Sequence, residues 1–134
     1  MIKDIDGISV NYEVKGSGSE YVFILHGWGA NIGVYTSVSD LLSQKFTVVS
    51  LDFPGFGGTP EPPDVWSVSD YADFTVKFIS SFGVKNVILF GHSFGGRVII
   101  KMASLPELPF NISKIIFADS AGAVSYTHLT LPTT

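Results

Sequence analysis

Cysteine is absent from the 134 residues, which excludes disulfides, thiolate metal sites and a cysteine nucleophile, and fits a cytoplasmic protein. Charge is sparse: charged residues make up 15%, with Lys+Arg at 8, Asp+Glu at 12 and a net charge of -4. No run of Lys or Arg occurs, so neither nucleic acid nor an anionic membrane is an expected partner. No apolar run approaches membrane-spanning length. The opening "MIKDIDG" carries acids where a signal peptide needs an apolar core. His26, His92 and His128 fall in no H-x-H or H-E-x-x-H spacing, so no metal or cofactor site is expected.

What is present is apolar. Hydrophobic residues make up 46% and aromatic residues 13%, enough to bury the core of one domain or part of one. Ile8, Val10, Tyr12 and Val14 alternate with polar residues as a half-buried strand does, and Asp6-Gly7 predicts a hairpin pairing it with Ile2 to Ile5. After a Gly16 to Ser19 loop, expected to be flexible, the pattern changes. "YVFIL" (Tyr21 to Leu25) is apolar throughout, and so are most of Phe46 to Leu51, Val87 to Phe90 and Ile115 to Ala118. Such runs call for cover on both faces, as in a parallel sheet.

Helical periodicity fills the gaps between these runs. Tyr71, Phe74, Thr75, Phe78, Ile79 and Phe82 form one stripe, with Ser67 and Asp70 spaced as a capping box and Gly83 placed as a C-terminal stop. Shorter helices are predicted over Val34 to Leu42 and from Phe94 to about Ala103, before Pro106. The order predicts an α/β domain, mostly parallel, with right-handed crossovers and helices on both faces. Pro54 to Pro63 is a loop inside it.

Three glycine templates compete for the chemistry. A phosphate-binding loop would use Gly91 and Gly96, but Arg97 and Val98 stand where lysine and a hydroxyl belong. A dinucleotide loop begins at Gly55 and Gly57 and fails at Pro60. G-x-S-x-G is met in full by Gly91, His92, Ser93, Phe94 and Gly95, between a predicted buried strand and a predicted helix. A turn this tight strains the serine backbone and leaves no room for side chains two residues either side. It aims the hydroxyl above the sheet, beside free N–H groups at a helix start, where an anionic intermediate is stabilised.

With "HGWGAN" (His26 to Asn31), "LDFPGFGGT" (Leu51 to Thr59) and "GHSFGG" each following a predicted strand, Ile2 to Gly122 resembles the N-terminal half of an α/β-hydrolase, serine-nucleophile branch. The resemblance implies Ser93 as nucleophile and the backbone N–H groups of Trp28 and Phe94 as oxyanion hole. It also implies a cofactor-free hydrolase acting on a small-molecule carboxylic ester or related acyl substrate. Peptidase, thioesterase, C–C hydrolase and perhydrolase chemistry stay open. The serine disfavours the dehalogenase and epoxide hydrolase branches, which use an aspartate. His26 and His92 are expected to be positioned or packed turn residues, not bases. Trp28, Phe53, Phe56 and Phe94 are candidates for an acyl pocket or for the core.

A serine of this kind needs a histidine and an acid, which the family places after it. Downstream stand Asp119, a candidate acid at the end of the sixth predicted strand, and His128. His128 falls within "VSYTHLTLPTT" (Val124 to Thr134), which breaks the α/β pattern and resembles an in-frame translation of a transposase-type sequencing adapter. The expected division is therefore 1-122, the N-terminal part of the domain, and 123-134, a non-native tail. The domain would then stop after its sixth strand, with Ile115 to Ala118 as a bare edge, and the fragment would lack its triad acid and histidine. The rival reading is a non-catalytic ligand-binding module on the same fold.

Overall fold

The computed structural model describes residues 1–118 and the backbone of 124–127. Strands β1 (Ile2–Ile5) and β2 (Ile8–Lys15) form the expected hairpin, Ile5 facing Ile8. Asp6 (φ 50°) and Gly7 (φ 84°) both take the left-handed conformation that matches a two-residue turn to the strand twist. Then follow β3 (Tyr21–Leu25), a 3-10 turn (Ile32–Tyr35) leading into α1 (Thr36–Leu42), β4 (Thr47–Leu51), α2 (Val68–Ser80), β5 (Asn86–His92), α3 (Phe94–Ala103) and β6 (Asn111–Ala118). With a last strand β7 (Val124–Thr127), the sheet order is β1-β2-β4-β3-β5-β6-β7, in which β3 to β6 run parallel and β2 pairs antiparallel with β4.

The six expected strands are present, and a seventh is added. This β7 (Val124–Thr127) pairs antiparallel with β6, so Ile115 to Ala118 do not form the bare edge the sequence suggested. Backbone pairing accounts for the difference, since an edge strand offers N–H and C=O groups to almost any extended segment.

Strand alternation sorts the core onto two faces. Val22, Ile24, Val48, Ile88 and Phe90 lie under Tyr35 and α1, while Phe23, Leu25, Val49, Val87 and Leu89 lie under α2 and α3. The α2 stripe is buried as its period predicts, and its capping box forms: the Ser67 hydroxyl accepts from the Asp70 N–H, and the Asp70 carboxylate accepts from the Ser67 N–H. The Gly16 to Ser19 loop is tightly packed: a β-carbon on Gly18 would stand 2.8 Å from the Phe46 Cα. Glycine serves close approach there, not flexibility. The first four residues of β6 escaped the sequence pattern because Ser113 is skipped in the register with β5. Its hydroxyl donates to the Val87 carbonyl at 3.1 Å.

Candidate active site

β5 passes into α3 with Ser93 alone between them, at φ 53° and ψ -109°. A non-glycine residue with that φ is strained by its own β-carbon, and among the described residues only Asp6 shares the feature. Ser93 is exposed at the carboxyl end of the parallel strands, where open α/β sheets place their ligands. The flanking glycines are required by space. A β-carbon on Gly91 would lie 2.6 Å from the Ile99 Cδ1 and 2.8 Å from the Gly96 nitrogen. One on Gly95 would run into the Leu25 carbonyl oxygen, with the His26 carbonyl 2.9 Å away. The bare backbone at Gly95 thus brings α3 directly against the end of β3.

The loop leaving β3 meets the serine from the other side. A β-carbon on Gly27 would stand 3.5 Å from the Ser93 Cβ and 2.9 Å from the His92 Nδ1. Gly27 to Ala30 form a β-turn, in which the Ala30 N–H donates to the Gly27 carbonyl at 3.0 Å and Gly29 supplies the positive φ of 79°. The turn carries Trp28, 65% exposed, with its ring edge-on to Phe56 at 4.6 Å and to Phe94 at 5.1 Å between centroids. The N–H groups of Trp28 and Phe94 donate to no described residue. Phe94 opens α3, where the first amides have no intrahelical partner.

The histidine that leaves β3 is not a free base. His26 is buried, 1% exposed, and both of its ring nitrogens are engaged. Nε2 accepts the Phe53 N–H at 2.9 Å, so the ring proton sits on Nδ1 and is donated to the Gly27 carbonyl at 2.7 Å. Burial pushes the His26 pKa below the usual histidine value, against the raising pull of the Gly27 carbonyl and the Asp52 carboxylate. The His92 Nδ1 is buried without a hydrogen-bond partner. The place of His26 agrees with a positioned turn residue.

Asp52 carries a role that the sequence reading missed. The residue is 2% exposed. Oδ1 accepts the Ile32 N–H at 2.8 Å, while Oδ2 accepts the Asn11 side-chain amide and the Gly58 N–H at 2.9 Å each. Among the described residues no cation pairs with it. Hydrogen bonds alone hold the buried charge. They knot together β2, the loop after β3 and the loop after β4. An aspartate among glycines with no basic neighbour in sequence was the available signal.

Of the four aromatic candidates, Phe53 and Phe94 are core, Phe56 is half-buried and Trp28 is open. Tyr71 joins them, its ring 5.2 Å from that of Phe94 and its hydroxyl donating to the Pro54 carbonyl at 3.0 Å. The helical stripe had assigned it to packing alone. Asp119 and His128 lie outside the described residues. A recess of about 270 Å³ lined by Tyr21, Lys85 and Asn86 sits at the amino ends of β3 and β5, remote from Ser93. No group of three or more metal-ligating side chains occurs, and no helix is long and apolar enough to cross a membrane, among the described residues.

Comparison with known proteins places the fold. The sequence profile of the alpha/beta hydrolase fold matches residues 20–133. The chain is 35% identical over 100 residues to a dihydrolipoyllysine-residue acetyltransferase component of an acetoin cleaving system from Cupriavidus necator, covering 75% of this chain and 27% of that protein. It is 34% identical over 105 residues to a pimeloyl-[acyl-carrier protein] methyl ester esterase from Pseudoalteromonas atlantica, covering 75% and 37%. The solved structure of the epoxide hydrolase CorEH superposes with a TM-score of 0.81 at 25% identity, covering 89% of this chain and 41% of that one. The chain thus spans less than half the length of these proteins. On the profile match over residues 20–133 and the superposition of its fold, this chain belongs to the alpha/beta hydrolase fold family.

Proposed function

We propose that Ser93 is the nucleophile of an acyl-transfer hydrolase acting on a small-molecule carboxylic ester or related acyl substrate. The observation that carries the proposal is the backbone of Ser93 itself, a strained conformation that packing alone does not call for, held with its side chain exposed. In the first step the Ser93 oxygen attacks the carbonyl carbon, and the carbonyl oxygen takes up the charge. The N–H groups of Trp28 and Phe94 receive that oxyanion, and the α3 amino terminus adds its positive dipole end. Collapse expels the alcohol and leaves an acyl-serine for water to cleave. Both steps need a general base, which His26, with both ring nitrogens committed, does not supply.

The base and acid belong, in this reading, to the longer protein, with residues 1-122 as the N-terminal part of its domain. The segment 123-134 is an adapter-derived tail. That residues 124–127 pair with β6 is indifferent to their origin, because strand addition uses backbone groups. Sequencing the source DNA across codons 122 to 124 decides the matter: a contiguous reading of "VSYTHLTLPTT" there rejects the tail assignment. The protein is cytoplasmic in this reading, with no nucleic-acid or membrane partner.

Hydrolysis of a short-chain nitrophenyl ester tests the function. The 134-residue chain should turn over negligibly, while the longer protein should be active and lose about 10³-fold or more on Ser93→Ala. Full activity after Ser93→Ala removes the nucleophile assignment. A second reading, a ligand-binding module without turnover, is favoured by one observation: both ring nitrogens of His26 are committed to backbone groups, so it offers no base to Ser93. An inactive longer protein that binds acyl compounds would select it.

A further inference from the structure

We propose that His26 is a positioning residue that fixes the direction of the Trp28 N–H, by holding the other end of the same peptide group. The inference rests on the acyl-transfer reading of Ser93. A trans peptide is rigid and planar, with its C=O and N–H pointing in opposite directions. No peptide among the described residues is cis. The Gly27 carbonyl and the Trp28 N–H form one such unit, so whatever grips the carbonyl aims the amide. Two donors grip it from one side: the His26 Nδ1–H at 2.7 Å and the Ala30 N–H at 3.0 Å. The Trp28 N–H is thereby turned to the opposite edge, where it meets no described acceptor.

Glycine at position 27 makes this grip necessary. It lacks a β-carbon because the His92 ring nitrogen and carbonyl crowd that space, and it carries the freedom of a residue whose peptide can rotate. The His26 ring could not serve if it turned. It is held by the Phe53 N–H at Nε2, and Phe53 follows Asp52, whose carboxylate ties down Ile32, Asn11 and Gly58. Rigidity of the Asp52 knot therefore reaches the oxyanion amide through one imidazole. The chemistry calls for this: an oxyanion donor is useful only if its direction is set before charge develops.

The test uses the isotope-labelled 134-residue chain, a spectroscopic readout and phenylboronic acid as probe. The boron accepts the Ser93 oxygen, the hydroxyl proton passes to solvent, and the tetrahedral anion forms without a general base. His26→Phe removes both ring bonds. His26→Gln leaves an acceptor for Phe53 without the Gly27 donor, which guards against a variant that fails to fold. His26→Asn places an amide donor where Nδ1 stood. The expected result is that Phe and Gln shift the Gly27 carbonyl carbon and Trp28 amide nitrogen resonances and weaken boronate binding about tenfold or more, and that Asn restores both. Unmoved Gly27 and Trp28 resonances in the Gln variant would overturn the proposal, as would an Asn variant no better than Gln. Failure of the site reading looks different: Ser93→Ala would bind the boronate as well as the parent chain, while the Gly27 and Trp28 resonances still report on His26.

Discussion

Gly95 lies so close to the end of β3 that a β-carbon on it would run into the Leu25 carbonyl oxygen. That contact joins the helix after the nucleophile to the strand that leads into the Trp28 loop. Backbone, not a flexible side chain, is the obstacle. Gly95→Ala is therefore expected to cost about 1–3 kcal/mol or more, in the range for overpacked sites. A fall in the urea midpoint at constant slope would show it. An unchanged midpoint would mean that α3 can move off β3, and that the elbow is looser than its packing indicates.

The His26 ring predicts a pH dependence of stability. The folded chain holds the ring neutral, because Nε2 accepts from a group that can only donate. Burial lowers its pKa below the 6.5 of an unperturbed histidine. Below that value the unfolded chain binds more protons than the folded one, so this contribution is complete above about pH 6.5 and declines as pH falls toward the lowered folded value. Denaturation midpoints measured between pH 8 and pH 5 should fall on the acid side, and His26→Gln should flatten that part of the curve. An equal slope in the variant would assign the dependence to other groups.

Strand and helix positions were legible because each rests on a local period. Tyr21 to Leu25 is apolar at every position since β3 is covered on both faces, and Tyr71 to Ile79 repeats every turn since α2 is covered on one. Phe94–Ala103 was bounded by the elbow before it and Pro106 after it. The elbow was legible because steric exclusion dictates Gly91 and Gly95. Asp52 was not: its partners Asn11, Ile32 and Gly58 come from three segments, one strand and two loops, and no spacing in the chain encodes their meeting at one carboxylate. The skipped Ser113 hid the start of β6 for a similar reason, as a register irregularity exists only relative to a neighbouring strand.

Asp52 should be costly to neutralise. Its two oxygens accept three N–H groups, and Asp52→Asn turns one oxygen into a donor facing at least one of them. The expected loss is about 2–4 kcal/mol, from a buried donor left unsatisfied and charge-assisted bonds weakened. Gly57 supplies an internal check, because a β-carbon there would collide with the Asp52 carboxylate. In a double-mutant cycle Gly57→Ala should cost less in an Asp52→Ala background than in the parent chain, although the strain of its φ of 53° remains in both. Strict additivity would show that the two sites do not touch.

The same logic predicts that the candidate nucleophile destabilises its own fold. Ser93 is held at φ 53°, and its side chain caps no amide of α3, so the fold gains no hydrogen bond there from the hydroxyl. Ser93→Ala keeps the β-carbon and therefore the strain, and should leave stability near that of the parent chain. Ser93→Gly removes the β-carbon. Relief of about 1–3 kcal/mol of backbone strain is offset by about 0.5–1 kcal/mol of extra chain entropy lost by glycine. The glycine variant should therefore exceed the alanine variant by about 0.5–2 kcal/mol, measured by urea unfolding of both at one pH. A glycine variant no more stable than alanine would mean that the elbow carries little strain, and would take away the observation on which the nucleophile assignment rests.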